Sequence, residues 1–401
     1  MSEVAIRKHE LPDSWAVAPL GEVIQLQYGK GLTAKTRVES GDVPVFGSSG
    51  DVGRHNEAYI NEPCIIVGRK GNVGHIFISH KPCWPIDTVY YVIPPQGVDI
   101  KYLYYQLKNL NLARLDKSTA IPGINRNDAY KVDFNLAPIE QQKRIVAKIE
   151  ELFSHIDAGI EALNKAKQLL KQYRQSVLKA AVTGELLGYK FSEEMFKPID
   201  FGLETLGQGW SPRCEKEPST SEDTWGVIKT TAVQSLEYRQ EENKRLPDSL
   251  EPRPKHEILV GDLLVTRAGP RVRVGICCLV KETRKKLMIC DKVYRLRVQK
   301  DVILPEYLAL ILNAPNVLIE VEKLKSGIND SGVNLTQNKF IQLQIPYPSI
   351  EDQQVLIQIV TEKVDSISRL DEEIEKQLLK AEKNRQSILA SAFSGGILNA
   401  K

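Results

Sequence analysis

Apolar residues recur three or four positions apart over two long stretches of the chain. They are Ile145, Ile149, Leu152, Ile156, Ile160 and Leu163 in the first stretch, and Leu356, Ile359, Val364, Ile367, Leu370 and Ile374 in the second. This spacing is typical of an amphipathic α-helix. Pro138 and Pro348 stand just before the two stretches, and Gly184 and Gly395 stand at their ends, as is common at helix boundaries. Each stretch therefore predicts one helix of about 45 residues, roughly 65 Å long.

The two stretches also repeat each other in sequence. Residues 139–187 align without a gap onto residues 350–398, at a constant offset of 211. Gln142 is matched by Gln353, and both copies carry the triplet Arg-Gln-Ser near their ends. A helix of this length cannot bury its apolar stripe against a small domain. We therefore expect the two helices to pack on each other as an antiparallel coiled coil.

The segments that precede the helices match more loosely. An apolar run ends in Arg69 in the first segment and in Arg267 in the second, and a glycine-containing turn follows each arginine. Gly123-Ile124-Asn125 is matched with Gly332-Val333-Asn334, and Trp15 with Trp210. These matches predict that the two segments before the helices share one fold.

The order of these parts predicts an α+β protein with two pseudo-repeated mixed α/β domains, separated by two long antiparallel coiled-coil helices. A chain of 401 residues is too long for one small core, which agrees with two domains or more. We place the first domain at residues 1–137, the first helix at 138–187, the second domain at 188–347 and the second helix with its tail at 348–401.

The overall charge is less informative than its distribution. The chain has 54 Lys and Arg against 51 Asp and Glu, a formal net charge of +3, which alone does not predict a nucleic-acid partner. Basic residues are nevertheless concentrated in one region, which contains residues 281–286 with Arg267, Arg271, Arg273, Arg295, Arg297 and Lys300. Such a cluster can attract phosphates, although it can also be ordinary solvated charge.

The common catalytic motifs are missing. The sequence has no GxxxxGK[ST] phosphate-binding loop, no Asn/Asp-Pro-Pro-aromatic loop of an amino-methyltransferase, no HExxH and no CxxC. Near Asp248 and Glu251, Arg253 stands where a nuclease would need lysine. Cys277 and Cys278 lie in an apolar run and are expected in the core. We therefore expect no catalytic centre and no metal site in this chain.

The sequence also bears on location. No apolar run is long enough for a transmembrane helix, and the N-terminal residues lack the apolar segment of a secretion signal. We therefore expect a cytoplasmic protein.

Candidate binding residues are concentrated in the glycine-containing turns. In the first domain they are Lys30, Thr33, Lys35, Arg37, Ser48, Ser49, Arg54, Arg69, Lys70 and Asn72, and in the second Lys229, Thr266, Arg267, Arg271, Arg273, Lys285, Lys286 and Asn329. Arginine and asparagine can pair with guanine and adenine edges, and lysine and serine suit phosphates. Each turn could equally be an ordinary surface turn. The recurrence of the strand-arginine-glycine turn favours DNA contact most for Arg69 and Arg267.

This layout resembles the specificity subunit of Type I restriction-modification systems, and the resemblance covers nearly the whole chain. The segments that carry it are LPDSW…PLGEV, GDLLVTRAGP, SGIN…GVN, P-IEQQKRIVAKIEELF and the helix end RQSVLKAAVTGEL. The repeated helix end RQSILASAFSGGIL departs from the pattern, because Ser394 and Gly396 replace the threonine and glutamate.

The resemblance implies a non-catalytic subunit that chooses the DNA sequence in a phage-defence system. Each of two target recognition domains would read one half of a bipartite, asymmetric target in double-stranded DNA. Two modification subunits with adenine methyltransferase activity would bind the chain, and two restriction subunits could join them. S-adenosylmethionine, ATP and Mg²⁺ would belong to those partners, so that this chain itself needs no cofactor.

Helix residues not needed for the coiled coil are candidates for binding the modification subunits, namely Phe153, Leu169, Leu170 and Tyr173. The same residues could instead complete the seam between the two helices. A second hypothesis for the whole chain is a non-catalytic coiled-coil adaptor that binds protein partners rather than DNA. Such an adaptor would show no salt-dependent DNA binding.

Overall fold

The computed structural model describes residues 11–117, 122–327 and 329–398. The N-terminal stretch that bears on secretion therefore lies largely outside the described residues. The chain divides into two compact units. Unit 1 consists of Met1–Asn164 with Glu375–Lys401, and unit 2 of Lys165–Ile374. The predicted α+β class is confirmed, because sheets and helices occur in both units.

Among its described residues, unit 1 contains three small sheets, three complete helices and one segment of each long helix. Its elements are β1 (Ala16–Pro19), α1 (Leu20–Val23), β2 (Gln27–Tyr28), β3 (Val43–Gly47), β4 (Gly50–His55), β5 (Cys64–Gly68), β6 (Ile76–Ser79), β7 (Trp84–Pro85), β8 (Val89–Val92), α2 (Ile100–Leu110), α3 (Arg126–Tyr130), β9 (Asp133–Leu136) and the first part of α4 (Ile139–Thr183). The sheet orders are β2-β8-β5-β6, β4-β3-β7 and β1-β9. In the part of unit 1 that the structure describes, the paired strands are antiparallel except β3 and β7.

Unit 2 follows the same plan with additions. Its elements are β10 (Phe196–Pro198), β11 (Leu203–Gln208), β12 (Gly226–Ile228), β13 (Val233–Gln234), β14 (Glu237–Tyr238), β15 (Asn243–Arg245), β16 (Leu263–Thr266), β17 (Ala268–Gly269), β18 (Cys277–Leu279), β19 (Leu287–Met288), β20 (Val293–Val298), α5 (Pro305–Leu312), α6 (Pro315–Leu324), β21 (Lys325–Ser326), β22 (Val333–Leu335), α7 (Gln337–Phe340), β23 (Gln344–Pro346) and the first part of α8 (Ile350–Phe393). The orders β11-β20-β16-β18, β15-β12-β19 and β10-β23 reproduce those of unit 1, and the one parallel pair, β12 with β19, corresponds to β3 with β7. The predicted pseudo-repeat is therefore confirmed at the level of topology.

The two long helices begin where the sequence predicts. α4 ends at Thr183, directly before Gly184, the glycine that marks its predicted end. Gly184 adopts a left-handed conformation with φ of 82°, and a short 3-10 turn, Glu185–Leu187, fills the rest of the predicted range 138–187. Gly395 has the same φ after α8. Glycine populates this region without the steric cost that other residues meet, so it ends both helices.

Inside each unit, a segment of α4 and a segment of α8 run antiparallel. In unit 1, Arg385 forms an ion pair with Asp157, while Phe393 shares one apolar cluster with Ile145 and Ile149. A residue late in one segment thus meets a residue early in the other, as the coiled-coil prediction requires. In unit 2, the apolar cluster likewise joins Val177 and Leu178 of α4 to Leu356 and Val360 of α8.

A buried glutamine attaches the start of each long helix to its unit. Gln142 is fully buried; its Oε1 accepts a hydrogen bond from the Asp99 N–H at 2.8 Å, and its Nε2 donates to Ala137 C=O at 2.8 Å. Gln353 is also fully buried and accepts from the Leu304 N–H at 2.8 Å. The glutamine that the two helix sequences share is therefore a structural residue.

Two of the loose sequence matches are wrong in detail. The backbone N–H of Ile124 donates to Arg69 C=O at 3.0 Å, and that of Leu335 donates to Arg267 C=O at 2.7 Å. Ile124 therefore corresponds to Leu335, two residues beyond the match with Val333. Trp15 precedes β1, whereas Trp210 follows β11, the counterpart of β2, so the two tryptophans do not occupy equivalent places.

Candidate nucleic-acid interface

Arg69 follows the central strand β5 and is held on both its backbone and its side chain. Its N–H donates to Thr88 C=O at 3.0 Å, and its C=O accepts from Ile124. The guanidinium donates to Asp87 C=O at 2.9 Å, and its Cζ lies 5.8 Å from the centre of the Tyr90 ring. The Tyr90 hydroxyl in turn donates to Ile124 C=O at 3.2 Å. These contacts fix the turn after β5 to the neighbouring strand.

Arg267 repeats this arrangement after β16 in unit 2. Its N–H donates to Lys292 C=O at 2.8 Å, and its guanidinium donates to Asp291 C=O at 3.3 Å. Its Cζ lies 5.4 Å from the Tyr294 ring, and the Tyr294 hydroxyl donates to Leu335 C=O at 2.9 Å. Arg69 and Arg267 are therefore equivalent residues that brace equivalent turns.

Bracing occupies part of each of these two guanidinium groups. A guanidinium that pairs bidentately with guanine must present two N–H groups. Both Arg69 and Arg267 use one terminal nitrogen on a backbone carbonyl, and the Nε of each is buried without a partner among the described residues. Base reading by Arg69 and Arg267 remains a prediction. Because both units carry the same braced arginine, we assign these two residues a framework role.

Two residues that sequence reasoning missed lie beside Arg69. The Tyr28 ring is 49% exposed, and the Cζ atoms of Arg69 and Arg126 lie 5.1 and 5.2 Å from its centre. Arginine over an aromatic ring is favourable electrostatically. Tyr28 and Arg126 are almost one hundred residues apart in sequence, so no local pattern signals their proximity.

Three other charged candidates of unit 1 differ in whether a hydrogen bond or an ion pair holds the side chain. Arg37 donates to Val52 C=O at 2.7 Å, and Arg54 forms an ion pair with Asp51. Lys30 is exposed, with its Nζ 5.4 Å from the Trp84 ring. The arginines therefore hold loops in place, while Lys30 keeps its charge at the surface.

The remaining candidates of unit 1 lie at the surface of the turns, namely Thr33, Lys35, Ser48, Ser49, Lys70 and Asn72. Ser48 is half-buried and the others are exposed. A Cβ added at Gly71 would lie 3.4 Å from the Ser48 hydroxyl oxygen, so the turns after β3 and β5 are neighbours. Their polar side chains could therefore contact one stretch of a polar ligand.

In unit 2, two arginines brace the turn that follows Arg267. Arg271 forms ion pairs with Glu322 and Asp330, and Arg273 donates to Val233 C=O at 3.0 Å. Between them, the Val272 side chain is 85% exposed. An apolar side chain held outward on a braced turn is suited to contact a thymine methyl group. Val272 was missed in the sequence analysis because only polar and charged side chains in the turns were considered.

Thr266 is a wrong prediction. The residue is fully buried, and its hydroxyl donates to Arg273 C=O and accepts from the Ile276 N–H at 3.1 Å. Thr266 is the last residue of β16, where its side chain lies inside the unit. It cannot contact DNA unless the turn unfolds.

In and near the basic region around residues 281–286, several basic side chains form ion pairs or donate hydrogen bonds to the chain itself. Lys229 forms an ion pair with Glu242 at 2.7 Å, and Lys286 donates to Asp223 C=O at 3.0 Å. Burial lowers the pKa of Arg284, whose guanidinium donates to Ser219, Ser221 and Thr224 carbonyls. Lys285 and Asn329 are exposed.

One buried carboxylate offsets the positive charge of two further arginines. Asp262 is almost fully buried and accepts a hydrogen bond from Arg297 at 2.7 Å, while the Arg295 side chain approaches it at 4.0 Å. The hydrogen bond to Asp262 raises the pKa of Arg297, whereas burial lowers the pKa of Arg295. The count of basic residues in this region therefore overstates the positive charge at its surface.

The candidate residues on α4 differ in exposure. Leu169 and Tyr173 are 54% and 48% exposed, and Leu170 is half-buried. Phe153 is partly covered within unit 1, where the Tyr105 ring packs edge-on at 5.7 Å and the Arg385 guanidinium lies over it at 5.0 Å. Leu169 and Tyr173 are therefore the stronger candidates for partner binding.

Among the described residues, His, Cys, Asp and Glu do not gather in groups of three or more that could hold a metal ion. The helices in the described parts of the chain include none that is long and apolar enough to cross a membrane.

Residues 12–169 match the model of the Type I restriction modification DNA specificity domain. The chain is also 39% identical over 248 residues to the Type I restriction enzyme EcoEI specificity subunit of Escherichia coli. Part of the chain thus matches the Type I restriction modification DNA specificity domain, and the chain is similar to specificity subunits of Type I restriction enzymes. The EcoEI alignment covers 58% of this chain and 41% of that subunit, so the chain spans less than half of the relative's length.

Other specificity subunits match over more of the chain. The EcoKI specificity subunit of Escherichia coli strain K12 is 26% identical over 76% of this chain and 67% of its own length. The MjaVIII specificity subunit of Methanocaldococcus jannaschii is 24% identical over 96% of this chain and 94% of its own.

Two solved structures show the same fold. One, from work on complex assembly and conformational transition of the type I R-M system, has a TM-score of 0.72 at 16% identity and covers 96% of this chain and 99% of that chain. The HsdS subunit from Thermoanaerobacter tengcongensis has a TM-score of 0.56 at 16% identity, with coverage of 96% and 98%.

Proposed function

We propose that this chain is the DNA-recognition subunit of a Type I restriction-modification complex, and that each unit reads one half of a bipartite, asymmetric target. One observation carries the proposal. The two units share their sheet orders and their braced arginine turns, yet they present different exposed side chains at those turns. A common frame with different surfaces is what two readers of different half-sites require.

The braced turns suit DNA recognition energetically. A flexible loop loses conformational entropy when it binds, whereas a loop that is already fixed loses less. The turn after β16 is held by ion pairs of Arg271, and the turn after β5 by the backbone and side-chain contacts of Arg69. We assign the exposed Lys35 and Lys70 to phosphates, and Asn72 and Val272 to base edges.

Partner subunits would supply the catalytic chemistry. In this proposal, modification subunits with adenine methyltransferase activity bind the exposed face of α4 at Leu169 and Tyr173, and restriction subunits can join. S-adenosylmethionine, ATP and Mg²⁺ belong to those partners, and this chain contributes no catalytic residue. The proposed place of action is the cytoplasm.

The charge distribution supports weak DNA binding by the chain alone. The formal net charge is only +3, and ion pairs such as Lys229 with Glu242 and Arg297 with Asp262 reduce the free positive charge. Since phosphate contacts dominate DNA affinity, we expect tight binding only when partner subunits add their own contacts.

The test is selection from duplex DNA with randomised bases, using the full chain alone and co-expressed with the modification subunits of its system. The expected result is a motif of two short specified parts around an unspecified gap, bound with strong salt dependence by the complex. Absence of salt-dependent binding under both conditions would overturn the proposal in favour of a protein-binding adaptor. Binding without an enriched motif would also overturn it.

A further inference from the structure

The two units differ at the residue that faces the anchoring tyrosine across the sheet. In unit 1, Tyr28 of β2 is paired with Tyr90 of β8. In unit 2, Gln208 of β11 is paired with Tyr294 of β20. Tyr90 and Tyr294 are equivalent, because each lies beside a bracing arginine. Tyr28 and Gln208 therefore occupy one position of the common frame.

A second position differs in the same way. Ile124 and Leu335 are equivalent through their hydrogen bonds to the bracing arginines. Two residues further on, Arg126 begins α3 and Gln337 begins α7. Each unit thus has the same arginine and tyrosine, and beside them two residues that differ between the units. These are Tyr28 and Arg126 in unit 1, and Gln208 and Gln337 in unit 2.

The geometry in unit 1 leaves Arg126 able to bind a ligand. Its Cζ lies 5.2 Å from the Tyr28 ring and 5.9 Å from the Tyr130 ring. Its Nη1 donates to Leu26 C=O at 3.4 Å, and its Nε is buried without a partner among the described residues, as in Arg69 and Arg267. The two terminal nitrogens carry four hydrogens, so three remain available to a ligand. Arg126 differs from the two bracing arginines because its counterpart in unit 2 is a different residue, Gln337.

Exposure distinguishes this cluster from an ordinary core stack. Tyr90 is almost fully buried, but Tyr28 beside it is half-exposed. Gln208 and Gln337 are exposed, and their side chains make no hydrogen bond to any part of the chain that the structure describes. The two glutamine side chains of unit 2 are therefore available to bind a ligand.

We propose that these variable residues determine specificity: Tyr28 and Arg126 for the half-site of unit 1, and Gln208 and Gln337 for the half-site of unit 2. Arg126 reads guanine, because a guanidinium pairs bidentately with guanine O6 and N7. Gln337 reads adenine through its carboxamide. Arg69 and Arg267 are positioning residues. The inference rests on the proposed function, because it names the readers of the same DNA target.

The test replaces the residue at one of these positions with the residue that the other unit has there. The full chain with Arg126→Gln, co-expressed with its modification subunits, is used to select duplexes with randomised bases. The expected result is that one base pair of one half-site loses its preference for guanine by about 5- to 150-fold and gains a preference for adenine. The other half-site stays unchanged. Gln337→Arg should produce the converse change in the other half-site.

Controls separate reading from folding. Arg114 is an exposed arginine of unit 1, and Arg114→Gln should leave the motif unchanged. If Arg126→Gln does not fold, Arg126→Lys keeps the charge but lacks the planar fork, and it should relax the preference for guanine at the same base pair.

The outcomes distinguish this inference from the proposed function. If the unaltered complex enriches no motif, the proposed function fails. If the unaltered complex enriches a bipartite motif but neither Arg126 variant alters a base preference, only this inference is overturned. A uniform loss of affinity with an unchanged motif would likewise overturn it.

Discussion

Replacement of Gln142 by methionine should loosen the start of α2 in unit 1. Methionine has a similar volume but removes the hydrogen bonds to the Asp99 N–H and the Ala137 and Gly97 carbonyls. Gly97 is exposed and can be hydrated, whereas Ala137 is buried. Each buried polar group left without a partner costs about 1–3 kcal/mol. The Ala137 C=O is buried, and the Asp99 N–H belongs to a half-buried residue and should cost about 1 kcal/mol, so we expect a local loss of about 2–4 kcal/mol. Gln142→Ala should cost more, because it also leaves a cavity.

Amide hydrogen exchange measures this loss where it occurs. A local loss of about 2–4 kcal/mol corresponds to exchange that is roughly 30- to 1000-fold faster at the Asp99 amide and in α2, if exchange proceeds through local opening. The same replacement of Gln353 should accelerate exchange at the Leu304 amide and in α5 of unit 2, because Gln353 makes the equivalent bond. Each change should remain within its own unit.

Lys143→Met is the matched control, since Lys143 is the exposed neighbour of Gln142 on α4. It should leave exchange in α2 within about twofold of the unaltered chain, a difference below about 0.5 kcal/mol. The reasoning would be refuted if Gln142→Met accelerated exchange at Asp99 by less than this, or if the Asp99 and Leu304 amides responded equally to either glutamine replacement.

Three further predictions concern connectivity, pH and the bracing arginines. A circularly permuted chain, in which Leu398 is joined to Leu11 and new ends are opened within residues 188–206, should select the same DNA motif. The reason is that the end of α8 packs against the start of unit 1. An unfolded or unselective product would contradict this prediction. Burial raises the pKa of Tyr90 to about 12. Between pH 10 and 12 the unfolded state therefore binds fewer protons than the folded state, and the free energy of unfolding should fall as the pH rises. Denaturant titrations across that range should show a smaller fall for Tyr90→Phe. Arg267→Ala should lower the melting temperature and the affinity for one half-site without changing which bases are selected, and a changed base at one position would show that Arg267 itself reads DNA.

The long helices could be predicted from the sequence because their signal is periodic and local. Apolar spacing and the flanking Pro138 and Pro348 predict both starts, and Gly184 predicts the end of α4, which lies at Thr183. The looser repeat was harder, because Gly-x-Asn occurs by chance near the equivalent strand ends. The correspondence of Ile124 with Leu335 depends on hydrogen bonds to residues more than fifty positions away, which sequence matching does not contain.

Some residues of the candidate site could likewise be predicted from local sequence, and others could not. The apolar run that ends in an arginine located Arg69 and Arg267 correctly, since that pattern is local. Whether such an arginine is free depends on the rings it meets across the sheet, and these lie more than twenty residues away. The burial of Thr266 and the cluster of Tyr28 with Arg126 likewise depend on tertiary packing.

The discontinuity of unit 1 has a consequence for biosynthesis. Phe393 packs its ring 5.2 Å from that of Tyr102, its carbonyl accepts from Asn135, and Ile397 lies in the same core, yet these partners are separated by more than 250 residues. Unit 2 is one continuous segment, so a ribosome can release it ready to fold while unit 1 still lacks part of its interior. The first-made globule therefore completes its core last, and a chain that stops short of α8's final turns would expose apolar surface to quality-control proteases.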